Sequence, residues 1–256
     1  MFREEVMPFL QEGSDTRLVS RCLYFFGIGE SALAQKLDRL MRESQNPTVA
    51  PYCKTGEVML RVTARVGKEE DPEPVLAPAL EEIRREAGEF LYGVDVGDLQ
   101  TALVRALLEK GLHVAAAESC TGGLVAERIT QVPGASGAFE WGAVTYSRAA
   151  KERVLGVSRE TLERYGAVSP QAAAEMAAGA RRASGAQIAL AVTGNAGPEP
   201  SEGKEVGLVY VAVSSPALST VRELRLPARG SDSRAFIREL AASHALRLGL
   251  EAAWAL

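Results

Sequence analysis

The chain has 256 residues, of which 46% are hydrophobic and 24% are charged, a composition typical of an ordinary soluble globular protein and not of a disordered one. Its net charge of -4 gives no overall basic field, so nucleic-acid binding is not expected. Three separated cysteines outside any CxxC pair predict neither a disulfide framework nor a zinc site. No signal-peptide pattern or membrane-length apolar run is present, so we expect no membrane partner and a cytoplasmic location.

The first part of the chain predicts a small α+β domain over residues 13–92, preceded by a remnant or linker segment over residues 1–12. The predicted elements are a strand at residues 16–26, a helix with Leu33, Leu37, Leu40 and Met41 on one face, strands at 48–53 and 57–66 around a hairpin signal at Lys54-Thr55-Gly56, and a helix at 75–90. This βαββα order resembles the outline of a KH-type domain. The GxxG loop with which a KH module clamps nucleic acid is missing, so we expect a structural or dimerising module.

A second domain is predicted over residues 93–256, where strands and helices alternate as in a layered α/β fold. The predicted elements are a helix at 94–110, a strand at 112–117, a helix from Leu124, a strand at 141–147, a helix at 148–155, an alanine-rich helix capped by Ser169-Pro170, strands at 187–192, 206–213 and 218–226, and a helix at 232–250. Ligands of such folds bind beyond the carboxyl ends of the strands. Polar turns at residues 118–123 and 193–198 follow two such ends and would converge there if their strands are neighbours.

The turn Glu118-Ser119-Cys120-Thr121-Gly122-Gly123 is the main candidate for a reactive site. A strand, a small-residue turn and a helix N-terminus together aim backbone N–H groups at one point, which suits a phosphate or an oxyanion. The alternative is an ordinary connection between a strand and a helix, in which Gly-Gly is common.

To act as a nucleophile, Ser119 requires a base within hydrogen-bond reach. The sequence offers few candidates for this base. His113 and His244 are expected to be packed side chains, and no aspartate stands beside either, so a Ser-His-Asp triad is not indicated. Lys151 is the more interesting base, because burial favours a neutral lysine, and Tyr146 is near it in sequence. By residue type alone, however, Lys151 is expected on the surface.

Three further polar residues have competing interpretations. Cys120 is a possible nucleophile at a helix N-terminus, but we favour a packing role. Arg234 either holds a phosphate with the N–H groups of the last helix or is solvated, and Lys204 is expected to be a solvated loop residue and not a lid charge. No HExxH motif, carboxylate cluster or P-loop occurs, so neither a metal nor a nucleoside-triphosphate cofactor is expected.

Several motifs occur in a fixed order across residues 95–250. They are residues 117–123, residues 142–147 with Lys151, residues 166–169, residues 193–198, and Val206-Gly207 with Tyr210. This ordered set resembles the CinA family of competence/damage-inducible proteins, whose C-terminal domain is a nicotinamide-nucleotide amidohydrolase. Upstream, residues 26–31, 46–50 and 60–64 are similar to the linking region of full-length members.

The resemblance implies hydrolysis of the carboxamide of nicotinamide mononucleotide to nicotinate mononucleotide and ammonia, without a metal or a cofactor. It implies that Ser119 is the nucleophile, that Lys151 accepts its proton and that Tyr146 assists. Backbone N–H groups around residues 121–123 would stabilise the oxyanion. The implied substrate-binding residues are Glu118, Thr121, Gly122, Gly123, Thr193, Gly194, Asn195, Gly197 and, on the phosphate, Arg234.

Other features of the sequence depart from the family pattern. Full-length members begin with a molybdopterin-binding-like domain, to which nothing here corresponds, so we expect a truncated or shortened member. Asn195, Glu205 and Leu208 replace the usual residues near the expected substrate loop, and they are expected to affect affinity more than reaction type. The alternatives are a non-catalytic nucleotide-binding or scaffold protein linked to DNA uptake and a cysteine amidase using Cys120. The resemblance also implies a homodimer.

Overall fold

The computed structural model describes residues 15–228 and 232–256. The chain forms two compact units, the first ending at Gly97 and the second beginning at Asp98. The remnant or linker segment predicted over residues 1–12 lies outside the described residues. No helix in the described part of the chain is both long and apolar enough to cross a membrane.

The first unit contains a four-stranded antiparallel sheet in the order β2-β3-β1-β4. Its elements are β1 (Thr16–Phe26), α1 (Glu30–Lys36), α2 (Asp38–Glu43), β2 (Thr48–Lys54), β3 (Glu57–Gly67), α3 (Glu73–Ala87) and β4 (Leu91–Val94). Alternate residues of β3, such as Leu60 and Val62, are buried, as the two-residue period of a strand requires. They form one core with apolar residues of β1 and of the three helices.

The predicted small α+β fold is confirmed, with two local differences. The predicted first helix is two short helices, because the backbone leaves helical geometry at Leu37. Strand β4 was not predicted, since it has only four residues and contains Gly93, and glycine fits poorly in a strand interior. Because β4 pairs with β1, the predicted domain boundary between residues 92 and 93 falls inside this sheet.

The second unit contains a five-stranded sheet in the order β6-β5-β7-β8-β9. Its elements are α4 (Leu99–Lys110), β5 (Val114–Glu118), α5 (Leu124–Thr130), a 3₁₀ turn (Ala135–Gly137), β6 (Phe139–Val144), α6 (Arg148–Leu155), α7 (Arg159–Arg164), α8 (Pro170–Ser184), β7 (Ile188–Gly194), β8 (Leu208–Ser214), β9 (Ser219–Arg225) and α9 (Ser233–Ala255). Strands β5, β6 and β7 are parallel, and β8 and β9 continue the sheet antiparallel. Helix α7 was not predicted.

The sheet of the second unit lies between two layers of helices, which confirms the predicted layered α/β fold. Ala189 and Ala191 of β7 pack in one cluster with α8, whereas Leu190 between them meets α9 at Gly249. Strand β5 is buried along its whole length, as expected of a strand covered on both faces. Helix α8 also packs against α6. A Cβ atom on Gly179 of α8 would lie 2.0 Å from the carbonyl oxygen of Leu155 at the end of α6.

We expect Gly179→Ala to destabilise the second unit by about 1–3 kcal/mol, because its methyl group has to displace backbone atoms of α6. Urea denaturation monitored by circular dichroism measures this loss. Ala183→Ser, which adds one atom at an exposed position of the same helix, is the matched control. Equal stability of Gly179→Ala and the wild type would contradict the close approach of α6 and α8.

Candidate active site

The carboxyl ends of three parallel strands meet at one edge of the second sheet. Glu118, the last residue of β5, pairs with Val144 of β6 and Val192 of β7. The polar turns that follow β5 and β7 therefore converge, as the sequence predicted. A cavity of about 390 Å³ lies at this edge and is lined by Ser119, Cys120, Tyr146, Arg148, Lys151, Ala167, Val168, residues 193–202 and Arg234.

The turn that carries Ser119 is held from one side by the carboxylate of Glu118. Gly122 and Gly123 adopt φ angles of 64° and 101°, a left-handed conformation that glycine tolerates best. The chain thereby turns back so that the N–H groups of Gly123, Val125 and Ala126 donate to the Glu118 carboxylate at 3.0, 3.1 and 2.9 Å. Glu118 thus caps α5 and does not line the cavity, in contrast to its expected role in substrate binding.

Of the backbone N–H groups of residues 121–123, two have hydrogen-bond acceptors among the described residues and one has none. The N–H of Gly122 donates to the Ser119 carbonyl at 3.1 Å, and the N–H of Gly123 donates to Glu118. Two of the three amides expected to stabilise an oxyanion therefore already have acceptors. The N–H of Thr121 has no acceptor among residues 15–228 and 232–256. Neither Thr121 nor the two glycines belong to the cavity lining.

An arginine that the sequence did not single out holds the other side of the turn. Arg238 of α9 donates from Nε to the Cys120 carbonyl at 3.1 Å and from a terminal nitrogen to the Thr121 carbonyl at 2.7 Å. Cys120 and Thr121 lie 118 and 117 residues before Arg238 in the sequence, so no local pattern reveals these contacts.

Lys151 is buried against the serine. Ser147 caps α6 by accepting from the Ala150 N–H, which places Lys151 one turn inside the helix. The Lys151 side chain is 0% exposed; its Nζ lies 2.9 Å from Ser119 Oγ and donates to the Thr145 carbonyl at 2.7 Å. The expectation from residue type alone, a surface lysine, is wrong because α6 packs against α8.

Burial sets the electrostatics of this pair. It lowers the pKa of Lys151 to about 8, although Cys120 and the Glu202 carboxylate act in the opposite direction. Burial also raises the pKa of Cys120 to about 11, although Lys151 lowers it. Near neutrality the amine is therefore close to losing its proton while the thiol keeps its own. This arrangement favours a serine nucleophile with a lysine base over a cysteine nucleophile.

Tyr146 and Arg234 lie at the rim of the cavity. Tyr146 is 62% exposed, and its hydroxyl accepts a hydrogen bond from Arg234 at 3.3 Å. Arg234 also donates to the carbonyl of Gly197. In the described part of the chain, Tyr146 makes no hydrogen bond with Ser119 or Lys151. The structure thus brings Tyr146 to the cavity without placing it against the serine and the lysine.

The residues after β7 form the opposite wall. Thr193 is buried and donates to the Ala167 carbonyl at 2.7 Å. Asn195 accepts from the Gly197 N–H at 3.0 Å and donates to the Lys204 carbonyl at 3.1 Å, so its amide side chain braces its own loop. Thr193, Gly194, Asn195 and Gly197 all line the cavity, as expected of substrate-binding residues.

Two charged side chains fasten this loop to neighbouring elements. Glu202 accepts from Arg148 at 2.6 Å and from the Val168 N–H at 3.3 Å. Lys204 donates to the carbonyls of Tyr165, at 2.8 Å, and Val168. The expectation that Lys204 is a solvated loop residue is therefore wrong, since its ammonium group is occupied by backbone oxygens.

Other residues considered from the sequence lie outside the cavity lining. His113 is half-exposed beside Glu140, with 2.8 Å between Nδ1 and Oε2, and is not the packed side chain that was predicted. His244 is half-buried, and burial lowers its pKa to about 4. Glu205 pairs with Arg225, and Leu208 belongs to the core. The described residues contain no group of three or more His, Cys, Asp or Glu arranged to hold a metal ion.

Both units of the chain match profiles of known protein domains. The profile of the CinA C-terminal domain matches residues 97–252, and that of the damage-inducible protein CinA KH domain matches residues 20–93. The chain belongs to the CinA family. A CinA-like protein of Kosmotoga olearia is 43% identical over 247 residues, covering 96% of this chain and 59% of that protein. A CinA-like protein of Desulfovibrio desulfuricans is 44% identical, covering 100% of this chain and 62% of that protein.

Solved structures of CinA proteins also match. Competence/damage inducible protein CihA from Agrobacterium tumefaciens is 42% identical with a TM-score of 0.54, and the match covers 59% of this chain and 93% of that chain. A CinA superfamily protein from Klebsiella pneumoniae is 34% identical with a TM-score of 0.56, covering 61% and 96% of the two chains. The present CinA chain thus spans about three fifths of the length of the curated relatives, and nearly all of the chain aligns with them.

The buried amine of this CinA chain makes its stability depend on pH. Lys151 has a pKa of about 8 in the folded state and an ordinary value of 10.5, so the unfolded state binds more protons between these values. The stability of the wild type should therefore rise with pH across this window, relative to Lys151→Met, by about 3 kcal/mol. Urea denaturation gives the free energy of unfolding of both proteins at pH 7.5 and at pH 10.5. The change in the difference between the two proteins from the lower to the higher pH measures this contribution. A pH-independent difference would show that Lys151 titrates normally.

Proposed function

We propose that the second unit is a nicotinamide-nucleotide amidohydrolase, which converts nicotinamide mononucleotide to nicotinate mononucleotide and ammonia. The observation that carries the proposal is the contact between Lys151 Nζ and Ser119 Oγ, 2.9 Å apart and buried at the edge of the cavity. Family membership supports the fold and the order of the motifs. The amide substrate is the proposed step beyond these findings.

In the first half of the reaction, the neutral amine of Lys151 accepts the proton of Ser119 while Oγ attacks the carboxamide carbon. The bond from Lys151 to the Thr145 carbonyl leaves the nitrogen lone pair for the serine proton. We assign stabilisation of the resulting oxyanion to backbone N–H groups of this turn, which the substrate would approach from the side of Ser119 and Cys120, the two residues of the turn that line the cavity. Lys151 then returns the proton to the departing nitrogen, which leaves as ammonia.

In the second half, a water molecule attacks the acyl ester on Ser119. Lys151 accepts the proton of the water and returns it to Ser119 Oγ as the ester bond breaks, so nicotinate mononucleotide leaves and the enzyme is restored. No step requires a metal or a redox partner.

The wall opposite Ser119 would hold the rest of the nucleotide. Thr193 and the backbone of residues 194–197 line this wall, and Arg234 stands at its rim with a guanidinium suited to a phosphate. Tyr146, bonded to Arg234, would position this group and the substrate. The cavity volume of about 390 Å³ is within the range of small-molecule sites.

A non-catalytic nucleotide-binding or scaffold protein explains the site less well. Burying an amine disfavours its charged form and costs free energy unless the group has a function or a full set of partners. Lys151 is buried against a serine hydroxyl and one carbonyl, and no carboxylate among the described residues is bonded to it. A binding protein gains nothing from this arrangement, whereas a serine nucleophile requires it.

The cellular setting is part of the same proposal. A cytoplasmic location rests on three cysteines, Cys22, Cys53 and Cys120, that remain free thiols. A homodimer rests on the family resemblance alone.

Ser119→Ala should abolish ammonia release from nicotinamide mononucleotide, because no other group replaces the attacking oxygen. Cys120→Ala should retain most of the activity, because the buried thiol remains protonated near neutrality. A coupled ammonia assay, with chromatography of the nucleotide product, compares the purified variants with the wild type. An inactive Cys120→Ala beside an active Ser119→Ala would reverse the assignment, and an inactive wild type would favour the binding protein.

The rate of this reaction should rise with pH through about 8, because the neutral form of Lys151 is the base and its fraction grows through that pKa. Lys151→Arg keeps a positive charge but cannot deprotonate, so we expect it to lose at least about 99% of turnover. The kcat of the wild type and the variant is measured from pH 6 to pH 9.5. A flat profile, or an active Lys151→Arg, would exclude lysine as the base.

A further inference from the structure

Two arginines, Arg148 and Arg234, line the cavity, and they differ in their hydrogen-bond partners. Arg148, at the start of α6, donates to Glu202 Oε1 from a terminal nitrogen at 2.6 Å and from Nε at 3.1 Å. Arg234, near the start of α9, donates to two neutral oxygens, those of the Gly197 carbonyl and the Tyr146 hydroxyl. Within the described residues, the charge of Arg148 is therefore balanced by a bonded carboxylate and that of Arg234 is not.

Glu202 is held as an ionised carboxylate. Its Oε2 accepts a hydrogen bond from the Val168 N–H at 3.3 Å. Burial acts to raise the pKa of Glu202, but the bond and charge of Arg148 and the N–H groups of Val168 and Ala167 outweigh it, so the pKa lies below its ordinary value. The carboxylate is therefore charged near neutrality, and it also lines the cavity.

The backbone at Glu202 is adapted to this contact. Glu202 and Gly203 adopt φ angles of 56° and 68°, so they form the two-residue tip of a tight turn between Ser201 and Lys204. A left-handed backbone is uncommon for a residue with a side chain and persists where the surroundings hold it. A Cβ atom on Gly166 would lie 2.5 Å from Glu202 Oε2, so the facing segment leaves room for the carboxylate.

We propose that Glu202 is a specificity-determining residue, which withholds Arg148 from anionic ligands and leaves Arg234 to receive the phosphate of the substrate. The inference deepens the proposed amidohydrolase function and rests on it for the identity of the substrate. A guanidinium that already bonds a carboxylate has fewer free donors and a balanced charge, so it attracts a phosphate less than one bonded to neutral oxygens. Glu202 thereby sets the end of the cavity at which the phosphate lies.

A second carboxylate in the cavity lining does not make this choice. Glu199 lines the cavity, but it bonds to neither Arg148 nor Arg234 in the part of the chain that the structure describes. Its charge weakens the attraction of the whole cavity for anions without favouring one arginine over the other.

The pair of Arg148 and Glu202 also joins α6 to the loop after β7, and a purely structural clasp makes a different prediction. If the pair only held the walls together, removing either partner would have the same effect on anion binding. If Glu202 withholds Arg148, removing the carboxylate increases phosphate binding and removing the arginine does not.

The test measures the Kd of inorganic phosphate by ³¹P NMR titration at low ionic strength, where screening is weak. All variants are made in an Arg234→Gln background, so that Arg148 is the cavity-lining arginine left to bind phosphate. Arg234→Gln alone should bind phosphate about tenfold more weakly than the wild type. Adding Glu202→Gln should restore about tenfold in affinity, and adding Arg148→Gln to that pair should remove the gain.

Glu205→Gln in the same background is the matched control, because Glu205 carries the same charge in the same loop, pairs with Arg225 and lies outside the cavity lining. Its phosphate Kd should stay within twofold of that of Arg234→Gln. Circular dichroism and thermal unfolding establish that each variant is folded; Gln at position 202 keeps an oxygen that can accept from the Val168 N–H. An unchanged Kd on adding Glu202→Gln, an equal gain with Glu205→Gln, or a gain that survives Arg148→Gln would overturn the proposal.

Ammonia release from nicotinamide mononucleotide separates this proposal from the identity of the substrate. Inorganic phosphate should inhibit the wild type competitively, and Arg234→Gln should raise the inhibition constant about tenfold. An inhibition constant unaffected by Arg234→Gln would contradict the role given to Arg234 and overturn the inference. If the wild type releases no ammonia while the phosphate titrations give the expected pattern, the amide substrate is wrong and the role of Glu202 is supported.

Discussion

The second unit depends on one contact, the 2.9 Å approach of Lys151 Nζ to Ser119 Oγ in a buried position. Burial makes the charged amine unfavourable, and this is why the lysine approaches neutrality in the pH range where a base is useful. The contact joins the ends of β5 and β6 to helix α6, and α6 is held in turn by the close approach of α8 at Gly179. The packing of α8 against the end of α6 therefore helps to hold Lys151 Nζ against Ser119 Oγ.

The turn of Ser119 is shaped by two opposite charges that both act on the backbone. Glu118 gathers three N–H groups on one side, and Arg238 holds two carbonyls on the other. Between them, the chain is fixed without relying on the side chains of Cys120 or Thr121. Under the proposed function, a backbone fixed in this way would need no rearrangement when charge develops on the substrate.

Local patterns in the sequence predicted most of the architecture. Apolar runs indicated the strands, Ser169-Pro170 marked the start of α8, and the polar turns after β5 and β7 converge as expected. Burial of Lys151 was not predicted from the residues, because it depends on the packing of α6 against α8. Arg238 and Lys204 were missed or misjudged for a related reason: their partners are backbone carbonyls distant in sequence, and a carbonyl leaves no trace in a sequence pattern.

The loop after β7 is anchored mainly through backbone groups, and this leaves several side chains of the cavity wall free to vary in sequence. Lys204 bonds to backbone carbonyls, and Glu202 bonds to a backbone N–H and to Arg148. These anchors stay the same whatever side chains occupy positions 165 and 168, and they are separate from Pro198, Glu199 and Pro200, which line the cavity. Substitutions at those three positions can accumulate while the anchors and the buried pair of Ser119 and Lys151 remain in place. The architecture thus permits the ligand preference of the cavity to drift during evolution while the buried contact between Ser119 and Lys151 is kept.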